Sequence, residues 1–286
     1  MDIFFTSSSG STITEKPSVE KDLGVIMSNN GTFKKHIEEV VREARSQAAW
    51  VLRTFSTRDK IPMTTLFKAL VQCKLDYCSQ LWSPTAKGEI NALEMVQRSF
   101  LRKIKNVGHL PYWEQLKELK LYSQERRRER YMIIYIWRIL EGQVPNIGSP
   151  NCRGHIREKI NSRPNCHEND RLGRRCDIPK PLPRTHAHIQ NLREASLCVR
   201  GARLFNLLPK SIRDMRDCST EAFKRALDKH LKIIPDEPQI QGYTACRRAE
   251  SNSLLNMSRL AYSETDVARV EVAVASRGCA PMLPWN

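Results

Sequence analysis

The stretch VEKDLGVIMSNNGTFKKHIEEVV, Val19 to Val41, decides how the chain is read. KDLGVIM is a short apolar run that alternates at its start. SNNG is turn chemistry, and TFKKHIEEVV opens a helix. A two-stranded β unit is marginal in water and needs a third strand or a packed helix. Only Met1–Phe5 lies upstream as another strand. The chain therefore reads as if it begins in the middle of a larger fold.

Working upstream, Met1–Asn30 predicts two short strands joined by SSSGST, then a strand at Leu23–Met27. Downstream, Phe33, Ile37, Val41, Ala44, Ala48, Leu52 and Phe55 form one stripe at helical period, with Thr32 as its expected N-cap. Pro62 suits a first helical turn, and Leu66, Leu70, Cys73 and Tyr77 continue that second helix to Ser83-Pro84. Leu93, Val96, Phe100 and Ile104 mark a third helix, ended near Gly108. Pro111–Leu119 is a short fourth. Ser123 caps a fifth, running to about Glu141. Between Gly148 and His188 the texture is prolines and arginines, predicting loops or short strands. Helical period returns at Val199–Leu208 and Thr220–Ile233, the latter capped by Ser219.

The expected fold is mainly α. Terminal β strands occupy 1–30 and a helical bundle 31–145. A basic Pro/Cys/His-containing linker follows over 146–192, a C-terminal helical segment over 193–235 and a loosely ordered tail over 236–286.

The charge is the outlier: Lys+Arg 47 against Asp+Glu 31, net +16. Such a charge speaks to partners, not fold: nucleic acid, an anionic surface or acidic protein. The longest apolar run, YMIIYIW at Tyr131–Trp137, is far short of the roughly 20 residues a bilayer span needs, so no membrane is expected. Met1–Gly10 lacks the pattern of a secretory signal. Nine scattered cysteines favour free thiols in a reducing compartment. The expected location is intracellular, nuclear or cytoplasmic.

Five segments, in this order, resemble one family: SVEKDLGVIMSNNGTFKKHIEEVVREA, LVQCKLDYCSQLWSP, INALEMVQRSFLRKI, YWEQLKELKLYSQERRRER and RLFNLLPKSIRDM with STEAFKRALDKHL. Together, over roughly Ser11 to Ser253, they are similar to the C-terminal part of reverse transcriptases of jockey-like non-LTR (LINE-type) retrotransposons. The resemblance implies that the KDLGV strand ends a polymerase palm and that the helices after it are thumb-like. It also implies that the rest of the palm and the fingers are missing. Nucleotidyl transfer needs carboxylates holding two metal ions. The family places them in an aromatic-x-Asp-Asp turn, and no Asp-Asp pair occurs in this sequence. LDYC at Leu75–Cys78 is the nearest imitation. By itself the chain is expected to polymerise nothing and to need no cofactor.

A thumb grips a template–primer duplex through its phosphates, so clustered cations are the candidates. Arg98–Arg138 holds eleven basic residues against four acidic, and Arg153–Arg200 eleven against five. In SQERRRER, Arg126, Arg127 and Arg128 fall in a first helical turn, where the macrodipole opposes cations. That placement asks for a phosphate or carboxylate partner. A solvated helix end with Glu–Arg pairs, or a nuclear-targeting run, are the other readings. Arg130 joins this group. Arg98, Arg102 and Lys105, with Lys103 beside them, face away from the third helix's apolar stripe. The expected partner is an RNA–DNA hybrid or duplex, bound without sequence preference, with a separate palm and fingers fragment as a further partner.

Cys152, His155, Cys166, His167, Cys176, His186 and His188 raise zinc, but no C-x2-C pair occurs and the spacing departs from tetrahedral sites. Unrelated side chains in a basic loop is the plainer reading. Cys73, Cys78 and Cys198 read as buried small hydrophobes. Trp50, Trp82, Trp113 and Trp137 read as core. Two functional readings stay open: a nucleic-acid-binding region without an active site, and a helical protein–protein remnant exposing an apolar patch. A decayed reading frame, with Ala261–Asn286 as read-through, is a third.

Overall fold

A computed structural model describes residues 19–146, 155–159, 173–178, 187–234, 236 and 253–255. The chain is mainly helical, with a short antiparallel hairpin at the start of the described region. The deciding stretch is that hairpin. β1 (Val19–Asp22) pairs with β2 (Val25–Ser28), Asp22 opposite Val25. Leu23 and Gly24 alone make the turn, both at positive φ (44° and 84°). Two left-handed residues suit the right-handed twist of paired strands. The expected strand at Leu23–Met27 is thus corrected: DLGV is a turn followed by a strand. The predicted Met1–Phe5 strand lies outside the described residues.

The hairpin is supported by helices, as its size requires. Val25 joins the core, and the Ile26 N–H donates to Nδ1 of buried His36 on α1 (3.4 Å). The Tyr77 hydroxyl donates to the Leu23 carbonyl at the hairpin tip (2.8 Å).

α1 (Lys34–Thr54) buries Ile37, Val40, Val41, Ala44, Ala48 and Val51 as one stripe. Thr32 does not cap it. Its hydroxyl donates to Asn30 Oδ1 (2.7 Å), closing the preceding turn, and Phe33 holds the cap position. α2 (Lys60–Leu66) runs through a wide i→i+5 segment, Phe67–Gln72, into α3 (Cys73–Asp76). The widening moves the buried stripe to Met63, Phe67, Val71 and Leu75, so Cys73, expected inside, is exposed. After Cys78 in left-handed backbone come α4 (Ser79–Trp82), α5 (Lys87–Leu101) and α6 (Tyr112–Leu119). The third-helix stripe of Leu93, Val96, Phe100 and Ile104 is buried as its period dictates. α7 (Gln124–Leu140) is capped by Ser123, whose hydroxyl accepts from the Arg126 N–H (3.1 Å).

Two apolar cores result. One gathers Val25 to Leu119, the other Met132 to Leu254. The change falls between Leu121 and Tyr122, just before α7 and within the span expected to be a single bundle over 31–145. In the second core Trp137 stacks on Phe223 at 4.5 Å between centroids. There α7 meets α9 (Ala202–Asn206), the short α10 (Lys210–Arg213) and α11 (Thr220–Leu231), whose Ser219 cap is as predicted. A wide segment, Leu197–Gly201, precedes α9.

The linker over 146–192 contains a two-residue pairing of β3 (Glu158–Lys159) with β4 (Arg175–Cys176), and α8 (Ala187–Ala195) begins inside it. The tail over 236–286 is corrected at its described positions. Asp236, Ser253 and Leu254 are buried.

Candidate nucleic-acid interface

The four α7 arginines were expected to meet phosphate. Each meets a group of this chain instead. Arg126 is fully buried, its guanidinium 3.8 Å from the Asp236 carboxylate. Arg127 donates through Nε to both oxygens of Asp76 (2.9 and 3.1 Å) and lies over the Tyr131 ring. Arg128 donates to the Leu75 carbonyl (3.1 Å) and stacks over Trp82 at 4.8 Å. Burial pulls its pKa down to about 10. Arg130 makes a two-pronged pair with Asp228 of α11 (2.5 and 2.8 Å). The macrodipole does ask for anions at this helix start. They are carboxylates of the same chain, brought from distant positions. Phosphate contact by Arg126, Arg127, Arg128 and Arg130 is therefore corrected: Arg127 and Arg128 tie α7 to Asp76, Leu75 and Trp82 on the side of the first core, and Arg126 and Arg130 tie it to Asp236 and Asp228.

Around them lies a buried polar junction. Glu94 of α5 accepts from the Tyr112 hydroxyl (2.6 Å) and the Gln124 N–H (2.8 Å). Burial, outweighing those donors and reinforced by Asp236 and Glu125, pushes its pKa up to about 7. Glu129 accepts from the Ser253 hydroxyl and the Leu254 N–H (2.9 Å) and faces Arg200, which also donates to the Pro84 carbonyl (3.0 Å). Sequence reasoning missed Glu94, Asp228 and Asp236. No local signal marks a carboxylate whose partners lie 18 to 113 positions away.

The second candidate cluster behaves otherwise. Arg98 is half-buried over the Tyr112 ring at 5.6 Å, and burial lowers its pKa. Arg102, Lys103 and Lys105 follow α5 and are exposed. Among the described residues no carboxylate forms an ion pair with these three. Their loop folds tightly. Asn106 is left-handed, and a Cβ on Gly108 would sit 2.2 Å from the Arg102 carbonyl oxygen. The Lys105 N–H donates to the Arg58 carbonyl (2.8 Å), stitching this loop to the one that ends α1. The Arg58 guanidinium in turn donates to the carbonyls of Leu52, Phe55 and Thr57 (2.5 to 2.7 Å), satisfying the end of α1. Cations from α1 and α5 thus gather at one end of the first core.

Trp82 and Trp137 are buried and Trp113 packs partly against the core. Trp50, expected inside, is 44% exposed. Cys78 and Cys198 are half-buried rather than buried. Of the zinc set, His155 faces Asn146 (3.2 Å) and His188 faces the Asn30 carbonyl (2.9 Å). Cys176 is buried against Asn206, and burial pushes its thiol up to about 12. Cys152, Cys166, His167 and His186 lie outside the described residues. Among the described residues no group of three or more His, Cys, Asp or Glu could hold a metal ion, and no helix is long and apolar enough to cross a membrane.

Compared with known proteins, the chain matches no family model, no curated protein and no solved structure.

Proposed function

We propose that this chain is a helical module that holds nucleic acid by its phosphates without reading sequence, of the kind that lies beyond the palm of a non-LTR retrotransposon reverse transcriptase. The family part rests on the five sequence segments and their order. The binding part rests on one observation: Arg102, Lys103 and Lys105 stand exposed and without a carboxylate partner among the described residues, in a chain of net charge +16. On this reading the nucleotidyl-transfer chemistry belongs to a polymerase palm that the module serves.

The test is binding to a labelled RNA–DNA hybrid at roughly 50 and 200 mM salt. Log K falls by about 0.9 per phosphate contact per decade of salt. The expected result is steeply salt-dependent binding that R102A/K103A/K105A weakens. No binding at the lower salt overturns the reading.

Leu23, 83% exposed at the hairpin tip, with Tyr77 and Leu81 also exposed, favours a second reading as a protein–protein module. Self-association that persists at high salt would select it, since hydrophobic contact is not screened.

A further inference from the structure

We propose that Trp50 is a stacking platform for an unpaired base, so that the basic end of the first core grips a single strand or a single-stranded overhang and not only a duplex. This deepens the proposed function and rests on it.

An isolated exposed tryptophan is ordinary protein surface. Trp50 differs in its surroundings. It lies near the C-terminal end of α1, outside the buried stripe that Ala48 and Val51 belong to. The Phe55 ring meets it edge-on at 6.1 Å and 85°, which orients the indole. From Ala44 to Arg58 the chain contains Arg45, Arg53 and Arg58 and no acidic residue. Arg45 and Arg53 are exposed, whereas Arg58 is committed to the end of α1. Through the Lys105–Arg58 backbone bond, the loop bearing Arg102, Lys103 and Lys105 adjoins this helix end. An aromatic face beside a backbone-tracking row of cations is the arrangement by which proteins hold single strands irrespective of sequence. A blunt duplex keeps its bases stacked and offers Trp50 nothing but an end.

The experiment measures binding of the full chain to a labelled oligouridine RNA and to a blunt RNA–DNA hybrid of equal length, at about 50 mM salt. Trp50→Ala is expected to weaken the single strand by about 5- to 150-fold. Hybrid binding should move less than about 2-fold, and Trp50→Phe should recover most of the loss. On the unaltered protein, oligouridine should quench a tryptophan fluorescence component that is missing in Trp50→Phe. Hybrid binding with an unchanged single-strand affinity in Trp50→Ala, or an equal loss on both probes, overturns this inference and leaves the proposed function standing. Absence of binding to both probes overturns the two together.

Discussion

The Asp236 carboxylate accepts from both the backbone N–H (2.7 Å) and the hydroxyl (2.6 Å) of Ser123, the residue that caps α7. Ser123 thereby does two jobs: its oxygen accepts from the helix's first turn while its own donors are held by a carboxylate from far along the chain. Both residues are buried. Removing the acceptor leaves two buried donors and takes a counter-charge from Arg126. Asp236→Ala is expected to cost about 3 kcal/mol, and Asp236→Asn, which keeps one acceptor, about half of that. Urea denaturation checks both. A midpoint that does not move would show that Ser123 caps α7 unaided.

Glu94 gives stability a pH dependence of defined sign. Its folded pKa of about 7 lies above the ordinary carboxyl value. Between the two, the folded state holds a proton that the unfolded state has released. Glu94 therefore makes stability fall as pH rises through that window, and above about pH 7 the fold holds a buried charge. Each pKa unit corresponds to about 1.4 kcal/mol, so the loss between pH 5 and 8 is on the order of 2–3 kcal/mol. In Glu94→Gln that part of the pH dependence should vanish, at the cost of a poorer fit to the Gln124 N–H. Thermal melts of both proteins across this range decide it. An identical slope in the variant would refute the assignment.

Much of the helical order was legible in the sequence, because the period of apolar residues is set by the same helix that buries them. Leu93, Val96, Phe100 and Ile104 are the clearest case, and Ser123 and Ser219 show that cap chemistry is local. The second helix was read out of phase. Its interior Met63, Phe67, Val71 and Leu75 repeat every four residues, and the widened i→i+5 segment at Phe67–Gln72 keeps them in one stripe, while the expected Leu66 and Leu70 are only half-buried and Cys73 is exposed. The SQERRRER reading found the right need, an anion at a helix start, and the wrong source. Asp76, Asp228 and Asp236 reach α7 only through tertiary folding, which no local pattern encodes.

Two glycines should respond in opposite directions to the same change. A Cβ on Gly201 would meet Ile136 Cγ1 at 2.9 Å and Leu197 Cδ1 at 3.0 Å, where the wide segment before α9 presses on α7. Gly201→Ala is expected to cost about 1–3 kcal/mol by overpacking. Gly88, in the first turn of α5, has no atom within 4 Å of such a Cβ. Gly88→Ala should be neutral or stabilising by up to about 1 kcal/mol, because alanine loses less backbone entropy on folding. Paired chemical denaturation curves test the contrast, and a stable Gly201→Ala would mean that the α7–α9 seam yields.

The two arginine-rich clusters should separate stability from binding. Arg127 lies half-buried with its guanidinium on Asp76 and Tyr131, so Arg127→Ala removes an internal pair. A loss of about 1–3 kcal/mol in stability is expected. The salt slope of nucleic-acid binding should stay unchanged, because no phosphate contact goes with it. R102A/K103A/K105A removes exposed cations and should leave the melting temperature within a degree or two. Three lost phosphate contacts would flatten the slope of log K against log salt by up to about 2.7. Measuring slope and melting temperature on both variants gives a two-by-two outcome. If Arg127→Ala flattens the slope and the triple variant does not, the nucleic acid is held at α7, and the assignment of the interface to the end of α5 is wrong.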